Sequence, residues 1–266
     1  MALTTMCARD VGTTAVLRAR SAVREIGIIA LLYVGYSAAR TLADGRLGPA
    51  LVRAADIAHL EQMLHVPGEL ELNRFLTMHG WLGLAADYWY ASAHYVVTGL
   101  VLIWLFRRGQ DVYVPARRAL AVATIVALGF YLTIPTAPPR MLPGFTDVMA
   151  LHSDIGWWGS DASAPKGLGG MTNELAAFPS MHAGWALWVA LGIWSATRSK
   201  LLRGAGVAYA LLTGIVVIAT ANHWIVDVVV GQLIVLAVWF GVTHHRRRTT
   251  TVPVASEDPL RETQAA

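Results

Sequence analysis

Long apolar runs alternate with short polar stretches along this chain. Six runs read as membrane spans: about Ile26 to Thr41, Trp81 to Phe106, Ala119 to Pro135, Phe178 to Thr197, Leu202 to Ala219 and His223 to Thr243. Each approaches the ~20 residues that cross a hydrocarbon core. The pattern predicts an all-α polytopic membrane protein, a six-transmembrane-helix bundle. Between the first two runs, Leu51, Ala55, Ile57, Leu60 and Leu64 recur at three- and four-residue steps. That spacing predicts an amphipathic helix at the membrane surface, with Glu61, Glu69 and Glu71 covering its solvent face. A Gly-, Pro- and Asp-rich loop of about 40 residues separates the third run from the fourth, a length typical of functional or disordered loops. The expected organisation is a cytoplasmic arm over 1–21, a membrane domain over 22–245 and a polar, disordered tail over 246–266.

Composition agrees. Of the 266 residues 55% are hydrophobic and 14% charged, with a mean hydropathy of +0.49; soluble domains carry about 25% charged residues. The single cysteine, Cys7, leaves no internal disulfide or cysteine metal cluster to build, and no apolar segment of a secretory signal precedes it. A pI of about 9.5 raises the question of nucleic acid, but the basic residues follow topology instead. With the amino terminus inside, the cytoplasmic segments hold Arg9, Arg18, Arg20 and Arg24, then Arg107, Arg108, Arg117 and Arg118, then Arg198, Lys200 and Arg203, then Arg246, Arg247, Arg248 and Arg261. The opposite side holds only Arg40, Arg46, Arg53, Arg74, Arg140 and Lys166. The positive-inside rule therefore places both termini of a cell-membrane protein in the cytoplasm and the long loop outside.

In that topology three polar clusters share the outer face. The fourth run opens with FPSMH (Phe178 to His182), the sixth with NHWIVD (Asn222 to Asp227), and APPR (Ala137 to Arg140) follows the third. His223 and Asp227 lie one turn apart, so the carboxylate can hydrogen-bond one ring nitrogen and free the other as a nucleophile. Alone, the pair fits a brace between helices better; ionisable groups inside a span are more often functional. Pro179 suits a first helical turn. Spans four and six both present amino termini there, an anion site by dipole and free N–H groups. FPSMH alone also reads as a helix cap with a snorkelling histidine. Arg140, stiffened by Pro138 and Pro139, can grip a phosphate; alone it equally fits a headgroup-binding arginine.

The set contains no carboxylate cluster suited to Mg²⁺ and no zinc-like spacing, so neither metal nor other cofactor is expected. It points to phosphoryl transfer. His223 attacks phosphorus, Asp227 orients it, and His182 protonates the departing oxygen. Arg140, Ser180 and the helix-start amides carry the phosphoryl charge. Arg40 and Lys166 are weaker phosphate candidates. Asp87, Tyr90 and His94 share a face of the second span, as a pocket lining or a buried Asp–His brace. Trp157 and Trp158 are expected at headgroup level, and Trp185 and Trp188 in packing or against lipid.

These motifs resemble those of the type 2 phosphatidic acid phosphatase (PAP2) superfamily, whose signatures are a Lys/Arg-Pro segment, PSGH, and Ser-Arg followed by His and Asp four apart. Met181 replaces the usual glycine, Val216 and Val217 stand where Ser-Arg would lie, and Thr133 stands where the first motif carries lysine. The pattern is more similar to the inositolphosphotransferase (Aur1/Ipt1-like) branch, with sphingomyelin-synthase-like enzymes nearby. The resemblance implies a lipid phosphatase or phosphotransferase acting on a phospholipid or polyprenyl-phosphate-type substrate, with water or a lipid or sugar alcohol as acceptor. It implies no nucleic-acid partner. A non-catalytic lipid-binding or lipid-transport bundle is the alternative from another class.

Overall fold

The computed structural model describes residues 46–66, 68–159 and 174–249, with residues 23, 27, 30 and 166; from 244 onward it describes the backbone alone. The first expected span, apart from Gly27 and Ala30, lies outside the described residues, as do Arg40 and the polar tail from residue 250.

Helices α1 (Leu47–Met63) and α2 (Glu69–Met78) lead into α3 (Gly80–Tyr88). A π-helical turn, Trp89–Ala93, joins α3 to α4 (His94–Arg108). Then come α5 (Gln110–Thr133), the short α6 (Val148–Leu151), α7 (Met181–Ala196), α8 (Lys200–Ala219) and α9 (Ile225–Thr249). An isolated parallel bridge pairs Thr136 with Ala176.

Four helical stretches are long and apolar enough to cross a membrane: Gly80–Arg108, Gln110–Thr133, Lys200–Ala219 and Ile225–Thr243. The expected count of six is therefore not reached among the described residues. α7 covers the fourth expected span but has 16 residues, roughly 24 Å at the usual rise. It is the central helix, packed against α4, α5, α8 and α9. The outer faces of its neighbours carry exposed apolar side chains, such as Leu100 and Ile103, Ile125 and Val126, Leu211 and Ile215, and Leu233 and Phe240. An apolar exterior is what lipid solvates.

Small residues let the helices approach. Ala116, Ala119, Ala123 and Ala127 form the buried stripe of α5, the close-packing mode of membrane helices. Trp188 is fully buried and donates to the carbonyl of Ala116 at 2.7 Å; half-buried Trp185 donates to Thr124 at 3.0 Å. Gly231 is buried where α9 crosses the start of α7, its Cα edge facing the backbone of Ser180. Met181 packs into the same core.

The amphipathic segment is two helices rather than one, and its glutamates are not all on the solvent face. Glu71 is exposed, but Glu61 and Glu69 are 3% and 8% exposed. Trp158 departs from the headgroup level expected of it: it is fully buried and donates to Met149 at 2.8 Å. Trp157 is 39% exposed.

Candidate active site

The ends of α5 and α8 and the starts of α7 and α9 meet at one end of the bundle. The loop after α5 is stitched there by backbone bonds from Thr136 to Leu175, Ala177 to Thr136, and Arg140 to Ala221. The three polar clusters of the sequence are brought together at this end.

His223 lies in the turn between α8 and α9. Its Nδ1 donates to the carbonyl of Ala177 at 2.8 Å, and the side chain is buried. A carbonyl oxygen only accepts, so Nδ1 carries the hydrogen and Nε2 of the neutral ring presents a bare lone pair. That nitrogen faces Nδ1 of His182 at 3.3 Å. The hydrogen in this contact therefore belongs to His182. One ring offers a lone pair, and the other offers a proton.

Asp227 is fully buried in the first turn of α9. Its Oδ2 accepts from the N–H of Trp224 at 2.8 Å and stands 3.7 Å from Nδ1 of His223. The spacing does place the carboxylate beside the ring. The hydrogen bond to Nδ1, however, comes from the Ala177 carbonyl. Asp227 contributes negative charge beside an imidazole, which favours the ring when it becomes cationic.

His182, in the first turn of α7, is held between two rings. Tyr90 stacks on it with centroids 4.4 Å apart and planes at 21°, and His94 meets it edge-on at 4.2 Å. Nδ1 of His94 donates to the carbonyl of Tyr90 at 3.0 Å. The π-helical turn puts both rings on His182, a common use of such turns at functional sites. The same turn breaks the expected pairing of Asp87 with His94. Its extra residue turns the helix by about 100°, and buried Asp87 instead pairs with Nδ1 of His152 at 2.6 Å.

Ser180 is the N-cap of α7. Its buried hydroxyl accepts from the N–H of Ala183 at 3.4 Å, and its own N–H donates to the carbonyl of Asp227 at 2.9 Å. The helix therefore begins one residue after the serine, and Pro179 lies outside the first turn where it was expected. Arg140 donates through Nη1 to Asn222 at 2.7 Å and through Nε to Asp147 at 3.1 Å. Asn222, the residue preceding His223, thus ties the arginine to the histidine's own turn, a contact the sequence did not single out. Lys166 is exposed and donates to the carbonyl of Asp154 at 3.3 Å.

The amides at the start of α9 are already engaged. Trp224 donates to Asp227, Ile225 to Glu69 at 2.6 Å, and Val226 to Glu61 at 2.8 Å. The expected anion site at this helix start is filled by the protein's own carboxylates.

The family model described as the PAP2 superfamily matches residues 55–241. The chain belongs to the PAP2 superfamily. The match runs from α1 through the spanning part of α9 and takes in Arg140, His182, His223 and Asp227. No curated protein and no solved structure gave a match. PAP2 proteins are generally phosphatases.

Proposed function

We propose that this PAP2 protein is an integral-membrane lipid phosphatase or phosphotransferase that works through a phosphohistidine on His223. The carrying observation is the pair of facing nitrogens, with Nε2 of His223 held unprotonated by the Ala177 carbonyl and Nδ1 of His182 carrying a proton 3.3 Å away. Entry of a phosphate ester between the rings replaces that contact. His223 Nε2 then bonds to phosphorus as the bond from phosphorus to the lipid oxygen breaks. His182, made cationic by the negative charge of the bound phosphate, gives its Nδ1 proton to the departing oxygen and is left neutral. In the second half, water or an alcohol attacks phosphorus, His182 takes the acceptor's proton, and the P–N bond breaks. Asp227 balances the charge on the phosphorylated ring, and Arg140, aligned by Asn222 and Asp147, binds the phosphoryl oxygens.

The apolar exterior supports a lipid substrate, either a phospholipid or a polyprenyl phosphate. The distribution of basic residues supports a site on the extracytoplasmic face. Met181 and the valines at 216 and 217 favour the inositolphosphotransferase-like branch, in which an alcohol takes the phospho group. The test is detergent-purified protein given head-group-labelled phospholipids with and without alcohol acceptors, products resolved by mass. His182→Ala should lose about 10²- to 10⁴-fold in rate, and His223→Ala should fall to background. Unchanged release or transfer in both variants would leave a lipid-binding bundle as the reading.

A further inference from the structure

Glu61 and Glu69 come from helices that do not span the bundle, yet both carboxyls are buried against the start of α9. Glu69 sits at the first turn of α2, and Glu61 near the end of α1. Their Oε1 atoms accept from Ile225 and Val226 at 2.6 and 2.8 Å. With Asp227 on Trp224, three carboxyls take three consecutive amides at the positive end of one helix dipole. The residue immediately before those amides is His223. The same α1–α2 segment grips this end elsewhere. Asn73 donates to Ala219 at 3.1 Å, Arg53 to Pro135 at 2.7 Å, and Ala50 accepts from Ala137 at 3.2 Å.

Two carboxyls this close and this buried do not both ionise readily. Burial is the largest influence on each, and Glu69, beside Glu61, is pushed up to about 9. Glu61 is raised as well, chiefly by burial. The charged groups acting on the pair are each other and Asp227 from α9. Near neutral pH, Glu69 is therefore the protonated member.

We infer that Glu61 and Glu69 are positioning residues for His223, a proton-sharing carboxyl pair that clamps the amino end of α9 and fixes where the nucleophile stands. The inference rests on the phosphohistidine reading for its kinetic part. It explains why α1 and α2 belong to the working unit although neither reaches the histidines. It also gives the pair a pH range. Rising pH through about 9 ionises Glu69 in the folded protein and adds a further negative charge beside Glu61 and Asp227. The folded state holds a proton that the unfolded chain has lost, so stability falls from about pH 4.5 to about 9 and levels off above.

The experiment compares wild type, Glu69→Gln and Glu69→Ala in two assays. Glutamine keeps an oxygen for Ile225 and an N–H for Glu61, mimicking the protonated acid. In phosphoryl transfer, Glu69→Ala should lower kcat by about 10²-fold with little change in KM, as for a misplaced catalytic group. Glu69→Gln should restore most of that loss and remove the alkaline fall in kcat near pH 9. In thermal unfolding across pH 5 to 10, which needs no turnover, wild type should lose stability as pH rises and Glu69→Gln should not. Glutamine as damaging as alanine, or identical pH dependence of unfolding in wild type and Glu69→Gln, overturns the inference. If wild type turns over no phosphate ester, the function proposed above fails while the unfolding assay still decides the shared proton.

Discussion

Gly231→Ala tests whether the crossing of α7 and α9 sets the spacing of the two histidines. A Cβ at Gly231 would meet the backbone of Ser180, with the carbonyl carbon at 2.9 Å, the nitrogen at 3.2 Å and the oxygen closer still. Ordinary contact begins near 3.4 Å, and backbone cannot rotate out of the way as a side-chain tip can. Relief requires α9 to back away from α7 by on the order of 1 Å, the scale at which a catalytic group loses about 10²-fold in rate. The Ser180 to Asp227 bond, 2.9 Å long, would stretch with it, and overpacking of this kind costs about 1–3 kcal/mol. The assay is phosphoryl-transfer rate together with thermal unfolding in detergent. Gly99→Ala and Gly204→Ala are the controls, because nothing lies within 4 Å of an added Cβ at either. A Gly231→Ala protein with the turnover and unfolding temperature of the controls would refute the reasoning.

Asp227→Asn keeps an oxygen for the Trp224 amide but removes the charge beside His223. Because Ala177 fixes the ring's tautomer, the rate should fall roughly 10²-fold, measured as kcat; loss of all activity would mean that Asp227, not Ala177, sets the proton position. His152→Ala leaves Asp87, fully buried, without its partner. Stability should drop by about 3 kcal/mol and recover in the double variant Asp87→Ala/His152→Ala, read by denaturant or thermal unfolding; equal loss in both would make the contact unimportant.

The helices and the convergence of the chemistry were legible in the sequence because both depend on local, strongly patterned signals. Apolar runs of spanning length gave the helices. Histidines and a carboxylate at the mouths of such runs stand out, since lipid penalises them. What escaped was set by contacts distant along the chain or by backbone. The Ala177 carbonyl that fixes His223 belongs to a residue with no functional side chain. Glu61 and Glu69 fall on the polar side of an amphipathic pattern, and the amides they cap lie 165 and 156 residues further on. The Asp87–His94 pairing assumed a continuous α-helix, and the π-helical turn between them moved His94 onto His182 and left Asp87 for His152. The stacking of Tyr90 on His182 follows from the same turn, which no residue spacing announces.

The central claim is a covalent phosphorus–nitrogen bond at His223, and rapid quenching tests it most directly. Wild-type protein mixed with a phosphorus-labelled lipid substrate, stopped in alkali and digested, should carry the label on the peptide containing His223. His223→Ala should carry none. Turnover by wild type with no label on protein during the reaction, or label on a different residue, would contradict the account.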